Sequence, residues 1–471
     1  MPDPGEKTPS LARSLTARDG ALLTIGSIVG TGIFLTTGHM ASALPHPGLI
    51  LLAWVLGGLL TLSGALTYAE LGTLFPRAGG LYVFLKEAYG PLWGFLYGWT
   101  AFLVIMSGGI AALAVAFGDV LGGFVPFSSA TNRLASVTLG GWTWTLSGAQ
   151  VVAVLAILLL TAVNHFGLSA GSRAQNALTW LKVGSIAVFA FLGLTRPAPA
   201  APEIFAPLPA ALHGGALWAA LGVGLIAALW TFDGWYGLTF SAGEMRNPAR
   251  DLPWGLIAGA GFVTGLYLLV NAVYVRALPI PAMAGVEAVG EAAAGALFGA
   301  FGSRLLAVVV LISTFGCLSS TILYSSRIYQ PMAEDGLFFR RLARIDPRTR
   351  VPAASLWTQS AWAILLALSG SFQQLYTYAV FAGLLFHSAT GASIFVLRRK
   401  RPDLPRPYRA WGYPIVPALF LLASLLLVGN TLAEKPVESL WGLGLVAAGL
   451  PAYALWRRRE RGTSEPGSGS A

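Results

Sequence analysis

Twelve apolar runs separated by polar loops constrain this chain more than any other feature. They cover 20–44, 49–75, 92–121, 148–165, 172–194, 214–241, 253–275, 303–329, 354–368, 375–397, 414–432 and 439–455. A bilayer core about 30 Å thick needs about 20 apolar residues of helix to cross it. The runs therefore predict an all-α polytopic membrane protein with about twelve transmembrane helices. Only 11% of the 471 residues are charged, against about 25% in soluble domains. A water-soluble protein of this length would have too few charges to cover its surface.

The net charge of +10 suggests nucleic acid until its placement is considered. When loops are assigned alternately to two sides, 24 of the 30 Lys and Arg fall on one side, Arg327 among them, and five on the other, with Lys182 inside a run. That bias puts both termini in the cytoplasm of a cell membrane and explains the basic balance as topology. The partners expected are the lipid bilayer and a small molecule, with no nucleic acid. Cys317 is the lone cysteine and lies within the eighth run, so no intrachain disulfide can form. The five histidines are scattered without metal-ligand spacing, and no metal or cofactor is expected. Residues 1–19 read as a cytoplasmic segment without a cleavable signal, 20–409 as a ten-helix core, 410–457 as two peripheral helices and 458–471 as a disordered tail.

The first run contains "TIGSIVGTGIF", with Gly26, Gly30 and Gly32 and the hydroxyls of Ser27 and Thr31. GxxxG supports close helix packing. Glycine also costs about 1 kcal/mol per residue in a helix relative to alanine, so Gly30 and Gly32 weaken one turn around Thr31. The sixth run carries a comparable defect, "ALWTFDGWYGLTFSAGE", where Asp233 and Gly234 stand deep in apolar sequence. A carboxylate there is costly unless paired, solvated or neutral. Interruptions in corresponding segments of two halves point to a secondary transporter built as an inverted repeat. The positions predict a LeuT-like five-plus-five repeat with unwound helices one and six. Amides at the broken ends suit a carboxylate and carbonyls suit an ammonium. Together they would select the zwitterionic backbone of an α-amino acid.

Five stretches resemble the amino acid–polyamine–organocation superfamily: "IGSIVGTGIF", "SGALTYAELGTLFPRAGGLYVFLKEAYGPLWGFLYGW", "LWTFDGWYGLTFSAGEMRNPARDLP", "SSRIYQPMAEDGLFFRRLARIDPRTRVPAAS" and "LRRKRPDLPRPYRAWGYPIVPALF". Within it the chain is most similar to the L-type amino-acid transporters and their bacterial relatives. The resemblance implies a permease working by alternating access. It implies that the amides of Gly30, Thr31 and Gly32 receive the substrate carboxylate, and that the carbonyls of Ile28, Trp230 and Asp233, beside Gly234, receive its ammonium. It places Trp230 as an extracellular gate. It also matches Lys182 to a lysine that, in sodium-independent members, stands where sodium-coupled relatives hold an ion. Eukaryotic members are often disulfide-linked to a glycoprotein through a loop cysteine. The loop 122–141 has none, so no disulfide-linked partner subunit is expected. Gly383 replaces a larger polar residue of some relatives and would enlarge the pocket.

The residues leave several roles open. Lys182 lies nine residues past Arg173, roughly 14 Å along a helix, too far to reach the interface by snorkelling. It could mimic a bound cation and brace span one against Ser313 or Thr314, or it could titrate and couple protons. Asp233 could cap a broken helix end or favour cationic side chains. Glu70 is expected near the cytoplasmic mouth, paired with Arg77, and Glu244 and Arg250 as loop-shaping residues. "GLSAG", 167–171, matches a hydrolase nucleophile pattern, but it is expected in a loop between spans, so Ser169 is not read as a nucleophile and the chain is not read as an enzyme. A channel would need a polar stripe or a ring of like charges, which is absent from the sequence. The reading is a secondary transporter of L-amino acids, a sodium-independent exchanger. A proton-coupled symporter and a polyamine or cationic amino-acid carrier are the alternatives.

Overall fold

The computed structural model describes residues 11–140, 142–197, 203–209, 212–370 and 372–464. In chain order the helices are α1 (Ala17–Ile28), α2 (Gly32–Ala43), α3 (Pro47–Leu74), α4 (Leu81–Tyr89), α5 (Pro91–Thr100), α6 (Met106–Gly122), α7 (Gly148–His165), α8 (Leu168–Thr195), α9 (Gly215–Thr231) and α10 (Pro248–Ala277), followed by α11 (Ile280–Met283), α12 (Val289–Glu334), α13 (Ala353–Ser369), α14 (Phe372–Lys400), α15 (Ile415–Glu434), α16 (Pro436–Ala447) and α17 (Gly449–Ser464). A π-helical turn, Ala101–Ile105, joins α5 to α6, and a 3-10 segment, Gly237–Glu244, follows α9.

The chain is an all-α polytopic membrane protein. Among the described residues, nine helical stretches are long and apolar enough to cross a bilayer, and α1 with α2, bent by 45°, makes a tenth if taken as one span. The runs 214–241 and 354–368 fold differently: their helices, α9 and α13, have 17 residues each. Four further features differ from expectation. The loop after α6 holds a hairpin, β1 (Arg133–Leu139) paired antiparallel with β2 (Trp142–Ser147); the β-branched and aromatic residues of both strands suit this. Ser169 lies in the first turn of α8 rather than a loop, and its side chain is outside the described residues. The final helix continues to Ser464, past the boundary expected at 457, while 465–471 lie outside the described residues. Arg327, assigned to a loop by the charge reading, is buried inside α12.

Local chemistry sets the helix starts. Thr16 and Asp19 form a capping box for α1, and Ser147 and Gln150 do the same for α7. Proline occupies the first position of α3, α5, α10 and α16, where its missing N–H costs nothing. The Asp19 carboxylate also accepts from Asn176 Nδ2 at 2.7 Å, which ties α1 to α8. Lipid offers little hydrophobic drive between helices, so small residues and buried polar bonds carry the packing. Thr37 donates to Asn271 at 2.5 Å and Thr161 to Ser360 at 2.7 Å. The result surrounds α1 with α8, α10 and α12, and sets α2 against α9.

Candidate functional site

Helix α1 ends at Ile28. Val29 is extended (φ −75°, ψ 94°), and helix resumes at Gly32. Such an interruption strands backbone groups that lipid cannot satisfy. Each stranded carbonyl finds a donor on a neighbouring helix. Lys182 Nζ, fully buried on α8, donates to Gly26 O at 2.6 Å and Val29 O at 2.7 Å. Ser313 Oγ on α12 contacts Val29 O at 3.1 Å and Gly30 O at 3.0 Å. Cys317 Sγ reaches Ser27 O at 3.3 Å, and Tyr267 OH on α10 donates to Ile28 O at 3.1 Å. Thr314 does not join them; its hydroxyl bonds Val310 O in its own helix.

The amides follow the opposite pattern. Among the described residues, the N–H groups of Gly30, Thr31 and Gly32 have no acceptor. They point from the start of α2, where a helix carries partial positive charge. Gly32 is required there by close approach: a Cβ would lie 2.9 Å from Thr231 Cγ2 and 3.3 Å from Thr231 Cα. Gly30 is not crowded in that way, since its nearest neighbour to a Cβ would be Cys317 Sγ at 3.4 Å. Gly26 serves packing, with its face against Gln175, Thr179 and Ser320.

Helix α9 ends at Thr231, and the chain turns through Phe232–Tyr236 before the 3-10 segment. Gly234 has φ +93°, and a Cβ on it would stand 2.7 Å from Ser27 O. Only glycine fits both conditions. The two interruptions therefore touch: Ser27 meets Gly234, Gly32 meets Thr231, and Thr231 Oγ1 donates to Thr36 Oγ1 at 2.8 Å. Of the three carbonyls assigned to an ammonium, Ile28 O accepts from Tyr267 and Trp230 O from the Asp233 N–H at 3.2 Å. Asp233 O has no donor among the described residues. A carbonyl has two lone pairs, so Ile28 O retains capacity beside the Tyr267 hydroxyl. Trp230, 41% exposed, closes the end of α9.

The Asp233 side chain opens on a cavity that Thr61, Trp235, His387, Phe420 and Ser424 also line. His387, one of the scattered histidines of the sequence, bonds Tyr68 OH through Nδ1 at 2.9 Å and packs on Tyr236 with ring centroids 4.4 Å apart. Gly383 lies one turn earlier on α14, with open space where a Cβ would be. Tyr267, Thr231, Cys317 and His387 are the residues that sequence reasoning missed. No motif or spacing marks them, because each acts on a partner from another helix. Among the described residues, no group of three His, Cys, Asp or Glu could hold a metal.

Ion pairs cluster at the end of the molecule where α10 begins and α12 and α14 end. Glu244 and Arg327 form a bidentate pair at 3.0 Å, both nearly solvent-free, which ties the 3-10 segment to α12. Glu70 does not pair with Arg77. It accepts from Arg398 at 2.8 and 2.6 Å and from Ala410 N at 2.6 Å, while Arg77 pairs with Glu87 at 2.5 Å. Arg250 contacts Asp251 at 3.0 Å.

Residues 18–447 match the family described as amino acid permease. The chain is 31% identical over 441 residues to a serine/threonine exchanger, SteT, of Bacillus subtilis (strain 168), an alignment covering 93% of this chain and 95% of the relative. It is 30% identical over 464 residues to the human b(0,+)-type amino acid transporter 1, covering 96% and 89%. It is 26% identical over 463 residues to the human cystine/glutamate transporter, covering 97% and 88%.

Proposed function

The chain belongs to the amino acid permease family, as an integral membrane transporter of amino acids and not an enzyme, and from that premise we propose that it is a sodium-independent exchanger working by alternating access. The observation that carries this reading is the contact between the two helix interruptions. The unpaired amides of Gly30, Thr31 and Gly32 offer a seat for a carboxylate, and the carbonyls near Asp233 and Ile28 offer one for an ammonium. Unwound carbonyls at such a break are where coupled transporters hold sodium. Here Lys182 Nζ is bonded to the carbonyls of Gly26 and Val29, with Ser313 alongside. A fixed ammonium in that place supports operation without the ion. The SteT relative is named an exchanger, which supports coupled flux of one amino acid against another.

The reading includes both termini in the cytoplasm, from the loop charges, and a ten-helix inverted-repeat core over 20–409 with peripheral helices beyond it. It includes Trp230 as the gate on the far side and no disulfide-linked partner subunit. Purified protein in sodium-free liposomes tests it. Uptake of labelled serine, leucine and arginine is followed with and without unlabelled amino acids inside. Strong stimulation by the internal load is expected. Uptake that ignores the load but follows an inward proton gradient would replace the exchanger with a symporter.

A cationic-substrate reading is second. The Asp233 carboxylate faces the cavity with no basic partner among the described residues. Asp233→Asn then lowers arginine uptake while serine uptake is kept; equal effects on both would leave the acid a backbone-shaping role.

A further inference from the structure

A groove opens between the first turns of α10 and the loop that precedes α15, remote from the interruptions. Ala249, Arg250, Pro253, Trp254, Ile257 and Tyr408 line it. Its walls are apolar and aromatic. Trp254 is 64% exposed and begins an outward stripe that continues through Phe262 and Leu269, both about half exposed. Spacings of seven and eight residues keep these on one face of the helix. That face belongs against acyl chains, and the groove lies at its polar end.

The same end carries positive charge. The Arg250 side chain is 71% exposed. Its Nε is held at 3.0 Å by Asp251 Oδ1, while the other oxygen of that buried carboxylate accepts from Asn247 N at 3.2 Å. The acid thus spends its capacity inward and aims the guanidinium outward. Arg246, whose Nε donates to Ser14 O at 3.1 Å, is exposed four residues before Arg250 in sequence, and Arg409 and Trp411 are exposed next to Tyr408 in sequence. A water-soluble anion would leave the apolar wall unused, and a neutral lipid would leave the arginines unused. We propose that this groove binds an anionic phospholipid, with an acyl chain along Trp254 and Ile257 and the phosphate on Arg250. A basic pocket at the cytoplasmic surface flanked by aromatic residues suits that chemistry.

Brominated acyl chains test this by quenching tryptophan in the full-length protein. The chain has 15 tryptophans, so the site is read as the difference between wild type and Trp254→Phe. Brominated phosphatidylglycerol should be preferred over brominated phosphatidylcholine by about five-fold at this site, the gain expected from one arginine at a membrane surface. With the same difference taken by adding Trp254→Phe to each Arg250 variant, the preference should vanish in Arg250→Gln and survive in Arg250→Lys, with amino-acid uptake in phosphatidylcholine liposomes unchanged in Trp254→Phe and in both Arg250 variants. An equal preference in Arg250→Gln would overturn the proposal. Loss of the signal on adding millimolar glycerol 3-phosphate would also overturn it, since the groove would then read a free phosphate and not a lipid. A preference that emerges only when residues 1–10 are deleted would assign the groove to the chain's own N-terminal segment.

Discussion

Replacing Lys182 with methionine removes the ammonium while keeping most of the apolar stem of the side chain. Lys182 is fully buried and donates to two carbonyls freed by the end of α1, at 2.6 and 2.7 Å. Methionine cannot donate, so Gly26 O loses its side-chain donor and Val29 O keeps only Ser313. Leaving a buried acceptor unsatisfied costs about 1–3 kcal/mol. One fully orphaned carbonyl and one weakened one put the loss at about 2–4 kcal/mol by the same scale. Burying an ammonium is itself expensive, but that cost is borne by the wild type and its removal does not restore the missing bonds. The break is then favoured less against a continuous helix, and a continuous helix takes back the amides of Gly30–Gly32. Substrate affinity should fall by at least about ten-fold, the equivalent of 1.4 kcal/mol. Scintillation-proximity binding of a labelled amino acid measures the affinity, and the melting temperature of the purified protein confirms folding. A folded Lys182→Met variant with wild-type affinity would refute the reasoning.

Three other outcomes follow from the same geometry. Gly32→Leu should abolish binding, because even its Cβ would press on the backbone of Thr231, whereas Gly30→Ala should keep most of it, its nearest new neighbour being Cys317 Sγ at 3.4 Å; equal losses measured by the binding assay would mean that both glycines act through backbone conformation. Arg327→Met leaves Glu244 as a lone buried charge and should destabilise the fold by about 3–5 kcal/mol, while Glu244→Leu with Arg327→Met should recover much of that; thermal unfolding of the single and double variants measures it. Outside the membrane, the Asp346 carboxylate accepts backbone N–H groups from Thr349 and Arg348 at 2.8 Å each, which hold it below the usual carboxylate range. A depressed carboxylate contributes order above its unfolded value of about 3.9 and loses it as pH falls through the folded value, so the hydrogen-exchange protection factors of 346–351, corrected for the intrinsic rate at each pH, should be constant from pH 5 to 8 and Asp346→Ala should lower them throughout.

The all-α membrane class was legible because lipid demands long apolar helix, and each apolar run contains helix in the structure, although among the described residues nine stretches, or ten with the bent pair, are long and apolar enough to cross, not twelve. The irregularities at Gly30 and Asp233 stood out for the same reason: glycine and a carboxylate are conspicuous in such runs. Their surroundings were not legible. Tyr267 lies 239 residues from Ile28, and Arg398 lies 328 residues from Glu70. Nothing local links such partners, so Glu70 was assigned to the nearby Arg77. Lys182 is read from sequence as an ammonium that could brace span one against Ser313 or Thr314, or could titrate; which atoms it meets, the carbonyls of Gly26 and Val29, with Ser313 sharing Val29 O and Thr314 turned to its own helix, is not legible there. Side-chain spacing gives the face of a helix but not which backbone carbonyl a break will release. The hairpin after α6 leaves no mark in apolar length, because its two strands are only seven and six residues long.

Recognition of a zwitterion by the two touching interruptions is the central claim, and competition binding tests it most directly. A labelled amino acid is displaced by the same amino acid, by its carboxamide and by the amine left after decarboxylation. The account predicts that both modified compounds compete at least about 100-fold more weakly, since each forfeits one charged group and leaves unpaired polar groups worth about 2–3 kcal/mol in the site. A decarboxylated amine that competes as well as the amino acid would contradict it, and would turn the amides of Gly30, Thr31 and Gly32 back into ordinary helix ends.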